Sequence, residues 1–322
     1  MKWNFCAFML LMLSVICRAQ DNHYSQFYAN KIYLNPAFSG TDVCPRVILG
    51  FRDQWPGMTG EYVSYSASYD QSLNGIGIGL LFNGDDAGRG ILKTNNVSVI
   101  ISPKVRLFQD ITLSFAVEAG LVQKKLDHST LLYPNQIGPN GPLVSSVSQE
   151  IQNDISILRS DLSTGLLVYS QSVYAGYSMH HIMEPNISLI NGPNATLYRR
   201  HTAHIGANFY LLEKDPKKRR KGLGPKISPQ IIFQQQGPAR ELNLGMYYSK
   251  NKFTSGVYYR NEDAIVALFG VHSRKFTFGF SYDITLGKLA NNTMGAIELS
   301  TSYRFNCRQK KRNPVRADCP SF

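Results

Sequence analysis

The sequence predicts an all-β chain, a transmembrane up-and-down antiparallel β-barrel of about 14 strands, on three observations. First, Phe276, Phe278, Phe280 and Tyr282 alternate with Thr277, Gly279, Ser281 and Asp283, and a similar two-residue rhythm recurs along most of the chain. Such strands have one apolar and one polar face, and repeats of roughly ten residues can close into a cylinder with lipid outside and polar groups inside. Second, the N-terminus reads as a secretory leader: Lys2, the apolar run 5–16, then Cys17-Arg18-Ala19. Third, beyond that leader no apolar stretch approaches the ~20 residues of a spanning helix, so a helical membrane protein is excluded.

In chain order, residues 1–19 are the signal peptide. A lipoprotein leader needs a small residue before its cysteine and Ile16 precedes Cys17, so the cut is expected after Ala19. Residues 20–45 are non-repetitive: Pro36 forbids a central strand and Gly40 marks a turn, which predicts a small plug or a rim element. Residues 46–306 hold the barrel, with strands expected near 46–54, 61–70, 75–83, 91–106, 111–124, 161–170, 172–181, 196–212, 225–235, 239–250, 252–261, 264–273, 275–285 and 295–306.

Within the third strand, Gly75, Gly77 and Gly79 alternate with Ile76, Ile78 and Leu80. A dinucleotide fingerprint would place its third glycine one residue later and run into a helix, so these glycines are read as leaving space for something packed inside. The fifth strand has the clearest rhythm: Ile111, Leu113, Phe115, Val117, Ala119 and Leu121 alternate with Thr112, Ser114, Ala116, Glu118 and Gly120. Glu118 on the polar face points to a hydrated lumen. The last strand, with Ile297, Leu299, Tyr303 and Phe305 on one face, ends in an aromatic residue, similar to the signal that barrel-assembly machinery reads. Residues 307–322 form a basic tail.

Connection lengths orient the barrel. Outer-membrane barrels keep short turns in the periplasm and long loops outside. With the N-terminus in the periplasm, the even connections are short at 71–74, 109–110, 171, 251 and 274, whereas 84–90, 127–160, 183–195 and 286–294 face outward. The exception is the long, basic connection 214–221. Formal net charge is +12, falling by two to +10 once Lys2 and Arg18 leave with the leader, and the excess gathers in 214–221 and 308–316. Both clusters fall on the periplasmic side. They read either as a solvated turn and tail or as a docking surface for an acidic periplasmic partner, formed by Lys217, Lys218, Arg219, Arg220, Lys221, Lys310, Lys311 and Arg312. An exported chain makes nucleic acid an unsuitable partner. Three cysteines follow the leader, Cys44, Cys307 and Cys319; a disulfide is permitted, one thiol is left over, and the three pairings stay open.

No catalytic, cofactor or metal site is expected. His201 and His204 are three apart, which places them on opposite faces of a strand, and Asp85, Asp86 and Asp127 lack the spacing of a calcium loop. The sequence holds no nucleophile elbow, Cys-x-x-Cys pair or phosphate loop. Arg52, Arg260, Asp283 and Glu298 are read as lumen charges that pair across the interior.

Gln26-Phe27-Tyr28 through Asn35-Pro36-Ala37-Phe38-Ser39-Gly40, Arg52-Asp53-Gln54-Trp55, Tyr258-Tyr259-Arg260-Asn261-Glu262-Asp263-Ala264-Ile265 and Ser281-Tyr282-Asp283-Ile284-Thr285 together resemble the PorP/SprF family. These are outer-membrane components of the type IX secretion and gliding machinery. The likeness runs from about 26 to 305, with further matches at Tyr198-Arg199-Arg200-His201 and 295–298. Gly287 stands where the family usually has serine. The family motif maps onto Asn35, Pro36, Ala37, Phe38, Gly40, Arg52, Gln54, Trp55, Tyr259, Arg260, Asp263, Tyr282 and Asp283. The resemblance implies a multi-pass outer-membrane barrel similar to the fatty-acid-transporter (FadL-like) type, with no catalytic activity. The partners it implies are outer-membrane lipid, type IX translocon components, a secreted or surface-attached cargo such as an adhesin, and a periplasmic ring or peptidoglycan-associated protein. A docking and anchoring role is the first reading; the alternative is a transporter for a small hydrophobic or polar solute, with the N-terminal segment as its hatch. An outer-membrane lipase is disfavoured by the missing nucleophile and base.

Overall fold

The computed structural model describes residues 21–306 apart from 43, 59, 109, 128–136, 139–140, 143–154, 190–194, 212–223, 262 and 287–292. Fourteen strands form its wall: β1 (Arg46–Gln54), β2 (Tyr62–Leu73), β3 (Ile76–Ala87), β4 (Leu92–Arg106), β5 (Thr112–Leu126), β6 (Ile155–Tyr169), β7 (Val173–His180), β8 (Arg200–Ala207), β9 (Lys226–Gln236), β10 (Ala239–Lys250), β11 (Phe253–Arg260), β12 (Ala264–His272), β13 (Phe276–Thr285) and β14 (Ala296–Arg304). Each pairs antiparallel with its neighbours in the chain. β14 closes on β1, with Arg46 opposite Arg304 and Gln54 opposite Ala296, so no edge is left open.

The alternation places apolar side chains outward. Phe276, Phe278, Phe280 and Tyr282 of β13 are exposed, as are Phe115, Val117 and Leu121 of β5, while Ser281, Asp283, Ser114 and Glu118 are buried. A belt of exposed aromatic and aliphatic residues around a polar interior is the arrangement a bilayer requires. No described helix is long and apolar enough to cross a membrane. The β2–β3, β4–β5, β6–β7, β10–β11 and β12–β13 turns mark what we term the lower end. Asn74 and Gly75, both at positive φ (50° and 89°), form the two-residue turn there between β2 and β3, so Gly75 serves the turn rather than the interior.

Two strands depart furthest from expectation. β6 begins at Ile155 instead of 161, with Leu126 opposite Ile155, because above the apolar belt the outer face is free to be polar and the hydrogen-bond ladder outruns the alternation. β8 stops at Ala207, and pairing resumes only at Phe209–Tyr210. Across from the gap β9 carries Pro229, which has no N–H to donate, and Asn208 there accepts a hydrogen bond from Ser228 Oγ (2.6 Å).

Residues 21–45 run inside the ring, from its upper half to the lower rim. They hold one short helix, α1 (Lys31–Leu34), and a 3-10 turn at Pro36–Phe38, where Asn35 Oδ1 accepts from Ala37 N (2.9 Å) and proline needs no donor. Phe27, Tyr28, Ile32, Leu34, Ala37 and Phe38 pack against Ile100, Leu167, Ile232, Tyr247 and Tyr258 of the wall. The hydrated lumen read from Glu118 is filled at that level: Glu118 points inward but is buried, accepting from Ser98 Oγ (2.6 Å).

Candidate functional site

The plug is held at three levels. At the upper level Ser25 is the hub. Its Oγ donates to Asp283 Oδ2 (2.6 Å) and accepts from Arg52 Nη1 (2.9 Å) and Arg260 Nη2 (2.7 Å). Its backbone N–H donates to Glu298 Oε2 (2.7 Å). Arg52 also pairs with Asp283 (2.9 Å) and Glu298 (3.4 Å), and Arg260 with Asp283 (3.2 Å) and Asp263 (3.1 Å). Arg52 sits on β1, Arg260 on β11, Asp283 on β13 and Glu298 on β14. Each comes from a different motif block, and closure of the barrel brings all four onto one serine.

Beside it, Asp21 bonds His181 Nε2 (2.8 Å) and Arg200 Nη1 (3.1 Å), and His181 Nδ1 bonds Asp161 (2.7 Å). Burial opposes ionisation of Asp21, but His181 and Arg200 outweigh it and hold the carboxyl far below the usual carboxylate range. Arg200 also lies over the Tyr33 ring, 4.2 Å from its centroid.

The middle level belongs to Asn35-Pro36-Ala37-Phe38. Asn35 Nδ2 donates to Leu166 O (3.0 Å) and His204 Nε2 (3.0 Å), Ser114 Oγ donates to Ala37 O (2.9 Å), and Phe38 stacks on His204 with centroids 5.2 Å apart. His201 stacks instead on Tyr177, on the other face of β8. At the lower level Lys104 Nζ donates to Ser39 O (2.8 Å), Gly40 N donates to Asp70 Oδ2 (2.8 Å), and Asp42 pairs with Arg304 (3.1 Å). A side chain on Gly77 would overlap the Ser39 carbonyl, so β3 lets the plug backbone approach directly. Asp42 is disfavoured as a carboxylate by burial, yet Arg46 and Arg304 pull it below its ordinary range.

The remaining motif residues do other work. Gln54 ends β1 and Trp55, at φ 62°, donates its backbone N–H to Gly295 O (2.8 Å), tying β1 to the start of β14. Tyr259 and Tyr282 face outward, and Tyr282 OH donates to Met294 O (2.8 Å). Cys44 is disulfide-bonded. Cys307, Cys319 and the basic residues Lys217, Lys218, Arg219, Arg220, Lys221, Lys310, Lys311 and Arg312 lie outside the described residues. Among the described residues no group of three His, Cys, Asp or Glu side chains could hold a metal ion. Sequence reasoning missed Ser25 and Asp21, and considered His181 only as a metal ligand, a role it set aside, where the structure gives it a bridge between Asp21 and Asp161. Asp161 carries a signal, since it is charged at an inward register position of β6; Ser25 carries none.

A family model described as "Type IX secretion system membrane protein PorP/SprF" matches residues 16–303. The chain belongs to the PorP/SprF family. As a PorP/SprF protein it is a membrane protein of the type IX secretion system and an outer-membrane β-barrel that crosses with many strands. Among solved structures, the PorP/SprF barrel is similar to the toluene transporter TbuX of Ralstonia pickettii, at 12% identity over 85% of this chain and 93% of that one with a TM-score of 0.50. It also matches the Pseudomonas putida toluene transporter TodX (9%, 89% and 95%, TM-score 0.46) and a Pseudomonas aeruginosa FadL homologue (9%, 81% and 90%, TM-score 0.41). At this identity the likeness is one of fold. None of the curated proteins matches the sequence.

Proposed function

We propose that this PorP/SprF barrel is a non-enzymatic docking component. On this reading it anchors a secreted or surface-attached cargo on its outer loops and engages a periplasmic ring or peptidoglycan-associated protein through its lower end. The supporting observation is the convergence of the motif charges on Ser25. Residues that in a conduit would line a path instead bind the plug, which leaves the two rims as the working surfaces. Outside, these are the connections after β5 and β7; inside, Lys217–221 with Lys310, Lys311 and Arg312.

Affinity purification from intact envelopes, followed by protein identification, tests the reading. Deleting 217–221 should weaken recovery of the periplasmic partner while the barrel still assembles; equal recovery at low and moderate salt removes that surface from the proposal. A deletion strain should lose secretion or surface display of a cargo without a change in permeability. Solute-dependent uptake by barrel-containing liposomes would instead favour the transporter.

A further inference from the structure

Between the plug and the lower ends of β9, β10, β12, β13, β14 and β1 lies a cavity of about 310 Å³. Its position follows from the alternation: Ser249, His272, Thr277 and Ser302 occupy inward register positions near the lower strand ends. The wall therefore separates the cavity from the lipid belt. Its opening belongs to the aqueous lower side, where Tyr210, Gly224 and Arg304 line it.

The lining is cationic. Arg46 and Arg304 contribute from the seam and Lys31 from the plug, with Lys226, Lys250, Arg274 and Lys275 from strand ends and turns; among the described residues no Asp or Glu lines it. Arg46 and Arg304 have acid partners outside the lining, Asp70 and Asp42. Lys250, Arg274 and Lys275 have no acidic partner among the described residues, and they crowd positive charge onto one mouth. One further lining group, Arg304 Nε, is a buried donor without a hydrogen-bond partner among the described residues. Hydroxyls of Ser273, Thr277 and Ser302 complete a surface of cations and hydrogen-bonding groups suited to oxyanions.

We propose that this lower vestibule receives an acidic peptide segment of a periplasmic partner, its carboxylates entering among Lys250, Arg274, Lys275 and Arg304. This rests on the docking reading above and names the chemistry of its inner contact. A cavity at the small end of the usual ~300–1,000 Å³ range takes the tip of a segment rather than a folded domain. Because it sits inside the ring of strands, a headgroup held in the surrounding leaflet does not reach it. The positive field at the mouth would speed encounter and make binding strongly salt-dependent.

The test uses the full-length barrel in detergent and a fluorescent hexaglutamate peptide, read by anisotropy. Binding should weaken steeply between about 0.05 and 0.3 M salt, and the double variant Arg274→Glu/Lys275→Glu should weaken it about tenfold or more. Both substitutions lie in an exposed turn; Lys250→Glu, at the exposed end of β10, gives an independent loss of affinity should the double variant assemble poorly. Unchanged affinity in assembled variants overturns the proposal. Complete displacement of the peptide by inorganic phosphate at or below peptide concentration also overturns it, in favour of a free oxyanion site. A separate arm tests the side of the membrane. Ser273→Cys should react with an impermeant maleimide, above the wild-type background, only after the outer membrane is breached. Labelling in intact cells overturns the periplasmic partner, and with it the docking reading, even where peptide binding in vitro survives.

Discussion

Arg260 reaches three acids and Ser25 from one position, and its side chain is almost fully buried. Removing one partner of a buried ion pair typically costs about 3–5 kcal/mol, because the other charge is left desolvated and uncompensated. Arg260→Leu should therefore lower the temperature at which the folded barrel loses its compact gel mobility, with Asp283 the group left exposed to the loss. A variant with unaltered heat resistance would show that this arginine braces nothing. Asp42 makes a prediction with a sign. Its folded pKa is depressed below the ~3.9 of an unfolded aspartate, so its contribution is complete above that value and disappears as pH falls through the folded one. The stability gap between wild type and Asp42→Asn should stay constant from pH 7 to about pH 5 and close below about pH 4. A gap undiminished at the acid end would mean that the Arg304 pair is not its source.

At the scale of elements, the plug and the wall specify one another. α1 has four residues and could not persist alone; it is held because Ser178 Oγ donates to Leu34 O (2.8 Å) and because Ile32 and Leu34 are buried against the wall. β3 supplies a groove in return, its glycine at 77 clearing the way for Ser39. Gly77→Val puts a branched side chain where that carbonyl lies. It should displace the lower half of the plug and raise single-channel conductance in planar bilayers, while the outward alternation that assembles the barrel is untouched. Conductance equal to wild type, in a variant that assembles, would place the seal elsewhere in the lumen.

At the scale of the whole molecule, the barrel exists only once β14 meets β1, the pairing with the largest sequence separation, and its closure entropy is the largest of any ladder in the wall. Phe305 N donating to Pro45 O (2.9 Å) carries that pairing to the lower rim, where Cys44 is disulfide-bonded. The register runs residue 45 opposite 305, and in the sequence Cys307 follows 305 by two residues and Cys319 by fourteen, so we infer that Cys307 is the partner of Cys44. Cys307→Ser should abolish the wild type's mobility difference between non-reducing and reducing gels and lower its heat resistance, whereas Cys319→Ser should not. The opposite result would assign the bond to the tail cysteine.

The alternation of Phe276, Phe278, Phe280 and Tyr282 with Gly279, Ser281 and Asp283 determined by itself that this chain is a barrel, because the two-residue period of a strand is local and a bilayer demands one apolar face. The strand count and the inward direction of Arg52, Arg260, Asp283 and Glu298 follow from that period. What they hold does not. Ser25 lies more than 200 residues from three of its four partners, and no local pattern records that separation. Only the closed ring, which fixes the angle and height of each strand, decides that four charges from four strands meet on one serine, and that the cations at the lower mouth share one cavity.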